Sequence, residues 1–74
     1  MDKIYNFAIS ALSVSGTRLL QPQYTMELAK ELFDSYKRMA DVQQVRILKG
    51  SFKLSEFSVE YSAVEVIKEY NRGA

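Results

Sequence analysis

The sequence predicts a small single-domain α+β protein over residues 1–74, mostly helical, in the order helix, helix, β-hairpin, helix; the alternative is an all-α bundle of three or four helices. Three observations carry this expectation. An amphipathic stripe runs from Leu28 to Ala40 behind a capping Thr25. A wide apolar arc fills Ile4 to Val14, between Asp2 and Gly16. The chain also mirrors itself about Lys49-Gly50, so that apolar residues meet on one side of a folded ribbon.

The first helix comes from angular position. At about 100° per residue, Lys3, Asn6, Ser10 and Ser13 share one narrow arc. Ile4, Tyr5, Phe7, Ala8, Ile9, Ala11, Leu12 and Val14 cover the rest. Asp2 can cap the start and Gly16 can supply a left-handed stop. A strand is the competing reading, because Tyr5, Phe7 and Ile9 also alternate. The polar arc and the two caps favour the helix. An apolar arc this wide belongs to a central helix or to one that touches another chain. Gly16 and Pro22 then punctuate the connection Ser15–Tyr24, with Leu19 and Leu20 expected to tuck onto the core.

The second helix starts at Thr25, with Glu27 in the first turn, where the helix dipole favours an acid. Leu28, Ala29, Leu32, Phe33, Tyr36, Met39 and Ala40 form its apolar stripe. Lys30 with Asp34, Asp34 with Arg38, and Lys37 with Asp41 are spaced for pairs of roughly 0.2–0.5 kcal/mol each on a solvated face.

Folding the chain about Lys49-Gly50 sets Ile47 against Phe52, Val45 against Leu54 and Arg46 against Lys53, which is the pattern of a short hairpin. A short helix from Val42 to Lys49, capped by Asp41, competes with it. The last helix is expected from about Glu56. Ser58, Ser62, Glu65 and Glu69 share one of its faces, and Val59, Ala63, Val66, Ile67 and Tyr70 the other. Gly73 and Arg72 suit its C-terminus. Phe57, Val59, Tyr61 and Ala63 also alternate as a strand would, with a helix then starting at Ser62, whose hydroxyl and Glu65 make a capping box.

The stretches Thr25–Leu32 and Val45–Gly50 look like the two ends of a helix-turn-helix. The middle excludes it: no glycine lies near Phe33–Ser35, and the stripe passes through that point without a phase break.

Composition narrows the function. An apolar fraction of 47% and a charged fraction of 26% are those of a globular chain. With no cysteine there is no disulfide and no thiolate zinc site, and with no histidine the commonest general base and metal ligand are missing. No glycine-rich phosphate loop or calcium loop is present. The expectation is therefore a non-enzyme with no cofactor and no metal. The N-terminal stretch is too polar for a signal peptide and no apolar run reaches transmembrane length, so a cytoplasmic protein away from the membrane is expected.

Net charge is +1, but its distribution is uneven. Lys37, Arg38, Arg46, Lys49 and Lys53 make a basic middle, and Glu56, Glu60, Glu65 and Glu69 an acidic end. Tyrosine joins a large apolar body to a polar tip and is common at interfaces. Tyr5 and Ile9 at the edge of the first arc, with Tyr61 and Tyr70 in the last segment, are the candidate interface residues. The leading expectation is an intracellular protein-binding module or inhibitor, an accessory protein of the kind mobile elements encode, with a homodimer among its expected states. The alternative is a small nucleic-acid binder using a basic hairpin over residues 44–55, with Lys37, Arg38, Arg46, Lys49 and Lys53 on the phosphates.

Overall fold

The computed structural model describes residues 3–56 and 58–72. The roles expected of Asp2, Phe57 and Gly73 lie outside them. The chain runs β1 (Lys3–Ser13), β2 (Arg18–Gln23), α1 (Met26–Lys37), β3 (Val42–Leu54) and β4 (Val59–Asn71). The strands form one antiparallel sheet in the order β2-β1-β3-β4. This corrects the helix-rich expectation and its all-α alternative. The described residues hold a single helix, and the first and last expected helices are strands.

The error at β1 has a physical source. Residues four apart share a face in a strand and nearly so in a helix. Asn6 and Ser10 therefore fit both, and the outcome rests on what β1 can pair with. It pairs with β2 on one side and β3 on the other. Gly16 does adopt the left-handed backbone expected of it, with φ +94°, but in the hairpin turn from β1 to β2. There Ser13 N–H donates to the Thr17 carbonyl at 2.8 Å, and Thr17 N–H donates to Ser13 Oγ at 3.1 Å. Leu19, Leu20 and Pro22 stand on β2 rather than in a loop. Proline has no N–H to give a ladder, and β2 is an edge strand where that loss is tolerated.

α1 forms as its sequence dictates. The Thr25 hydroxyl accepts from the Leu28 N–H at 3.2 Å, and Glu27 occupies the first turn. Ala29 and Phe33 are fully buried against Ile9 and Ala11 of β1 and Val42, Val45 and Ile47 of β3. Phe7, Met26, Leu32, Tyr36 and Tyr70 close the margin of this core. Leu28 and Met39, placed on the stripe by spacing, are exposed. At the rim, Lys68 Nζ lies 4.9 Å from the Phe33 ring centre and Lys37 Nζ 5.2 Å from that of Tyr70.

The expected hairpin about Lys49-Gly50 is instead one continuous strand of 13 residues, β3. Gly50 does not turn the chain. A Cβ there would stand 2.9 Å from the Ser62 carbonyl oxygen, 3.0 Å from that of Ala63 and 3.2 Å from Val64 Cα. The register between β3 and β4 shifts at this point, and Ala63 holds a left-handed backbone with φ 52°. Glycine thus admits a bulge of the neighbouring strand.

Arg72 does serve a helix C-terminus, though of α1 rather than of its own segment. Its guanidinium donates to the carbonyls of Lys37 at 2.9 Å, Met39 at 2.7 Å and Val42 at 2.9 Å. These bonds tie the end of β4 to the α1–β3 connection.

Candidate functional site

The structure explains the uneven charge. In the β3–β4 register, Arg46 stands opposite Glu69, Lys49 opposite Glu65 and Lys53 opposite Glu60. The basic middle and acidic end of the sequence become a ladder of opposite charges between adjacent strands. Such pairs contribute about 0.2–1 kcal/mol each. Arg46 Nε donates directly to Glu69 Oε1, and Asn71 Nδ2 donates to Glu69 Oε2 at 3.2 Å. The Arg46 hydrogen bond, then that of Asn71, holds the Glu69 carboxyl below its ordinary value.

The candidate nucleic-acid residues are therefore dispersed. Arg46 and Lys53 stand seven residues apart along one strand, about 23 Å at 3.3 Å per residue. Lys37 spans the rings of Phe33 and Tyr70, and Arg38 is the C-cap of α1.

The four candidate interface residues separate as well. Ile9 is fully buried under α1 and presents nothing to a partner in the folded chain. Tyr5 is half-buried, its ring centre 4.3 Å from that of Tyr24. The hydrogen bond with Tyr24, ahead of desolvation, holds its phenol above its usual value. Tyr70 is half-buried at the margin of the core, beneath Lys37 and Arg72. Tyr61 is 63% exposed on β4.

Around Tyr61 lie residues that the sequence reading did not single out as a site. Val64, Val66 and Ile67 are also exposed on β4. β4 is an edge strand of 13 residues without a proline, about as long as the 40 Å long dimension of the molecule at 3.3 Å per residue. The opposite edge, β2, has six residues and carries Pro22. The two edges thus differ in what a further strand would meet. One is short and interrupted by proline. The other is long and lined with β-branched and aromatic side chains.

On the face of the sheet away from α1 lies a concavity of about 150 Å³. Every strand contributes to it: Ser10 from β1, Arg18 and Leu20 from β2, Leu48 and Phe52 from β3, Tyr61 and Val64 from β4. Phe52 is fully buried but stands outside the core under α1, and its ring centre is 6.3 Å from that of Tyr61. Ser10 is 4% exposed, and its Oγ accepts from Arg18 Nη1 at 2.7 Å. Arg18 Nη2 donates to Gln44 Oε1 at 3.3 Å. Two features of the sequence could have marked this face: Ser10 within an apolar stretch, and an arginine just before Leu19-Leu20.

Among the described residues no group of acidic side chains could hold a metal ion, and no helix is long and apolar enough to cross a membrane. No family model, no curated protein and no solved structure matches this chain at a significant level.

Proposed function

We propose that this chain is a non-catalytic protein-binding module that associates through the free edge of β4, and that the strand it adds is β4 of a second copy. The observation that carries the reading is the contrast between the two sheet edges. Long, flat, apolar edges pair with further strands unless proline, lysine or bulges blunt them. β2 is blunted by its length and by Pro22. β4 exposes Tyr61, Val64, Val66 and Ile67. The β3–β4 register shifts both near Ala63 and at Ile67, so the reading rests on the length of β4 and its exposed apolar side chains rather than on an unbroken ladder.

Charge favours a like partner. Glu60, Glu65 and Glu69 each stand opposite a cation of β3. An approaching copy of β4 meets no unbalanced row of carboxylates, and a strongly basic partner finds no surplus of acid to pair with. Main-chain hydrogen bonds would supply affinity and the exposed side chains specificity. The absence of histidine and cysteine supports a non-catalytic role. Nucleic-acid binding draws less support, because Arg46, Lys49 and Lys53 are matched in register by acids of the same chain.

Light scattering across a concentration series, with hydrogen exchange on the same samples, tests the reading. The expected result is a dimer whose β4 amides become protected as it forms. Ile67→Lys should return the protein to a monomer with an unchanged circular-dichroism spectrum. A monomer at every concentration, with β4 amides exchanging freely, overturns the proposal.

A further inference from the structure

The concavity opposite α1 has an apolar floor and a single charged corner. Leu20, Leu48, Phe52, Tyr61 and Val64 supply the floor. Arg18 supplies the charge. Its two described partners, Ser10 Oγ and Gln44 Oε1, are both neutral. Neither is a carboxylate, so among the described residues Arg18 has no ion-pair partner. The guanidinium is nonetheless fixed in place, because Ser10 is buried and holds Nη1 at 2.7 Å. A guanidinium has more N–H donors than these two bonds use. An apolar recess with one oriented polar group is the usual form of a small-molecule site.

We propose that this concavity binds a small amphiphilic carboxylate. The apolar body lies on Leu48, Phe52, Tyr61 and Val64, and the carboxylate accepts hydrogen bonds from Arg18. Charge sets the head group: one arginine matches one negative charge, whereas a phosphate dianion would leave charge unbalanced beside an apolar wall. Volume sets the body. The recess measures about 150 Å³. Apolar cavities of about 150 Å³ in other proteins hold a benzene ring. Because all four strands line the recess, the ligand extends across them, with its head at β2 and its tail toward β4. Pairing at the β4 edge leaves both faces of the sheet open; Tyr61 and Val64 serve both sites, whereas Arg18, Leu20, Leu48 and Phe52 serve the recess alone.

The probe is 3-phenylpropionate, titrated into isotopically labelled protein and followed by NMR. The uncharged 3-phenylpropan-1-ol and the ringless propionate serve as comparisons. The expected result is saturable shifts of the Leu48 and Val64 methyls and the Phe52 and Tyr61 rings, with a dissociation constant on the order of 1 mM. The alcohol and propionate should each bind about tenfold more weakly, one for want of the charge-assisted bond and the other for want of apolar contact. Arg18→Gln should bring the acid down to the level of the alcohol. Because Arg18 also links β2 to β1 and β3, Val64→Trp provides a second variant, which fills the recess from an exposed position and should abolish the shifts. Equal binding of acid and alcohol by the wild type, undiminished binding by Val64→Trp, or the absence of saturable shifts at these residues overturns the proposal.

Discussion

Replacing Gly50 by alanine tests the close approach of β4 to β3 at this residue. In the structure the new Cβ would stand 2.9 Å and 3.0 Å from two carbonyl oxygens of β4 and 3.2 Å from Val64 Cα. All three neighbours are backbone atoms, so no side chain can rotate away, and β4 must shift by a few tenths of an ångström or more around a bulge that already holds Ala63 at φ 52°. Overpacking of this kind costs about 1–3 kcal/mol. The stiffer unfolded chain returns about 0.4–1 kcal/mol. The net expectation is a loss of about 1–2 kcal/mol, a sizeable share of a small domain's 5–15 kcal/mol or so. With a urea slope near 1 kcal/mol/M, the lower end for small proteins, the midpoint should fall by about 1–2 M. Urea melts followed by far-ultraviolet circular dichroism measure this directly. A Gly50→Ala protein as stable as the parent, or more so, would refute the packing of Ser62–Val64 against Gly50.

The core and the charge ladder give two further tests. Phe33→Ala should cost about 3–5 kcal/mol in the same melts, and Leu32→Ala clearly less, because Phe33 is fully buried and Leu32 lies at the margin of the core; equal losses would place α1 at the wrong rotation. Glu69 has its carboxyl pKa lowered by Arg46 in the folded state, so the stability it adds is present above the ordinary glutamate pKa and disappears as pH falls through the lowered folded value. Melting temperatures of the parent and Glu69→Gln should therefore differ at neutral pH and converge in acid, and a gap that persists or widens in acid would contradict the pairing.

Short-range chemistry was enough to specify α1. Thr25 caps it with its own hydroxyl, Glu27 suits its dipole, and Ala29 and Phe33 repeat on its buried face. All of these act within one or two turns, so they can be read along the chain. The uneven charge was equally legible, as were the absence of histidine and cysteine and the need of Gly16 for a left-handed backbone. The strands were not legible, because their stability lies in partners distant in sequence. Asn6 with Ser10, Ser58 with Ser62, and Glu65 with Glu69 are each four apart, a spacing that a helix and a regular, unbulged strand both place on one face. Only pairing removes that ambiguity: β1 between β2 and β3, and β4 along β3. Gly50 misled for the same reason. A glycine that admits a neighbouring backbone and a glycine that turns the chain look alike until the neighbour is in place. The candidate sites are further from local reading still. The β4 edge exists because the sheet ends there, and the recess beside Arg18 draws residues from all four strands. Helical order is written in contacts a few residues apart, whereas a sheet, its edges and its faces are set by contacts that span the chain.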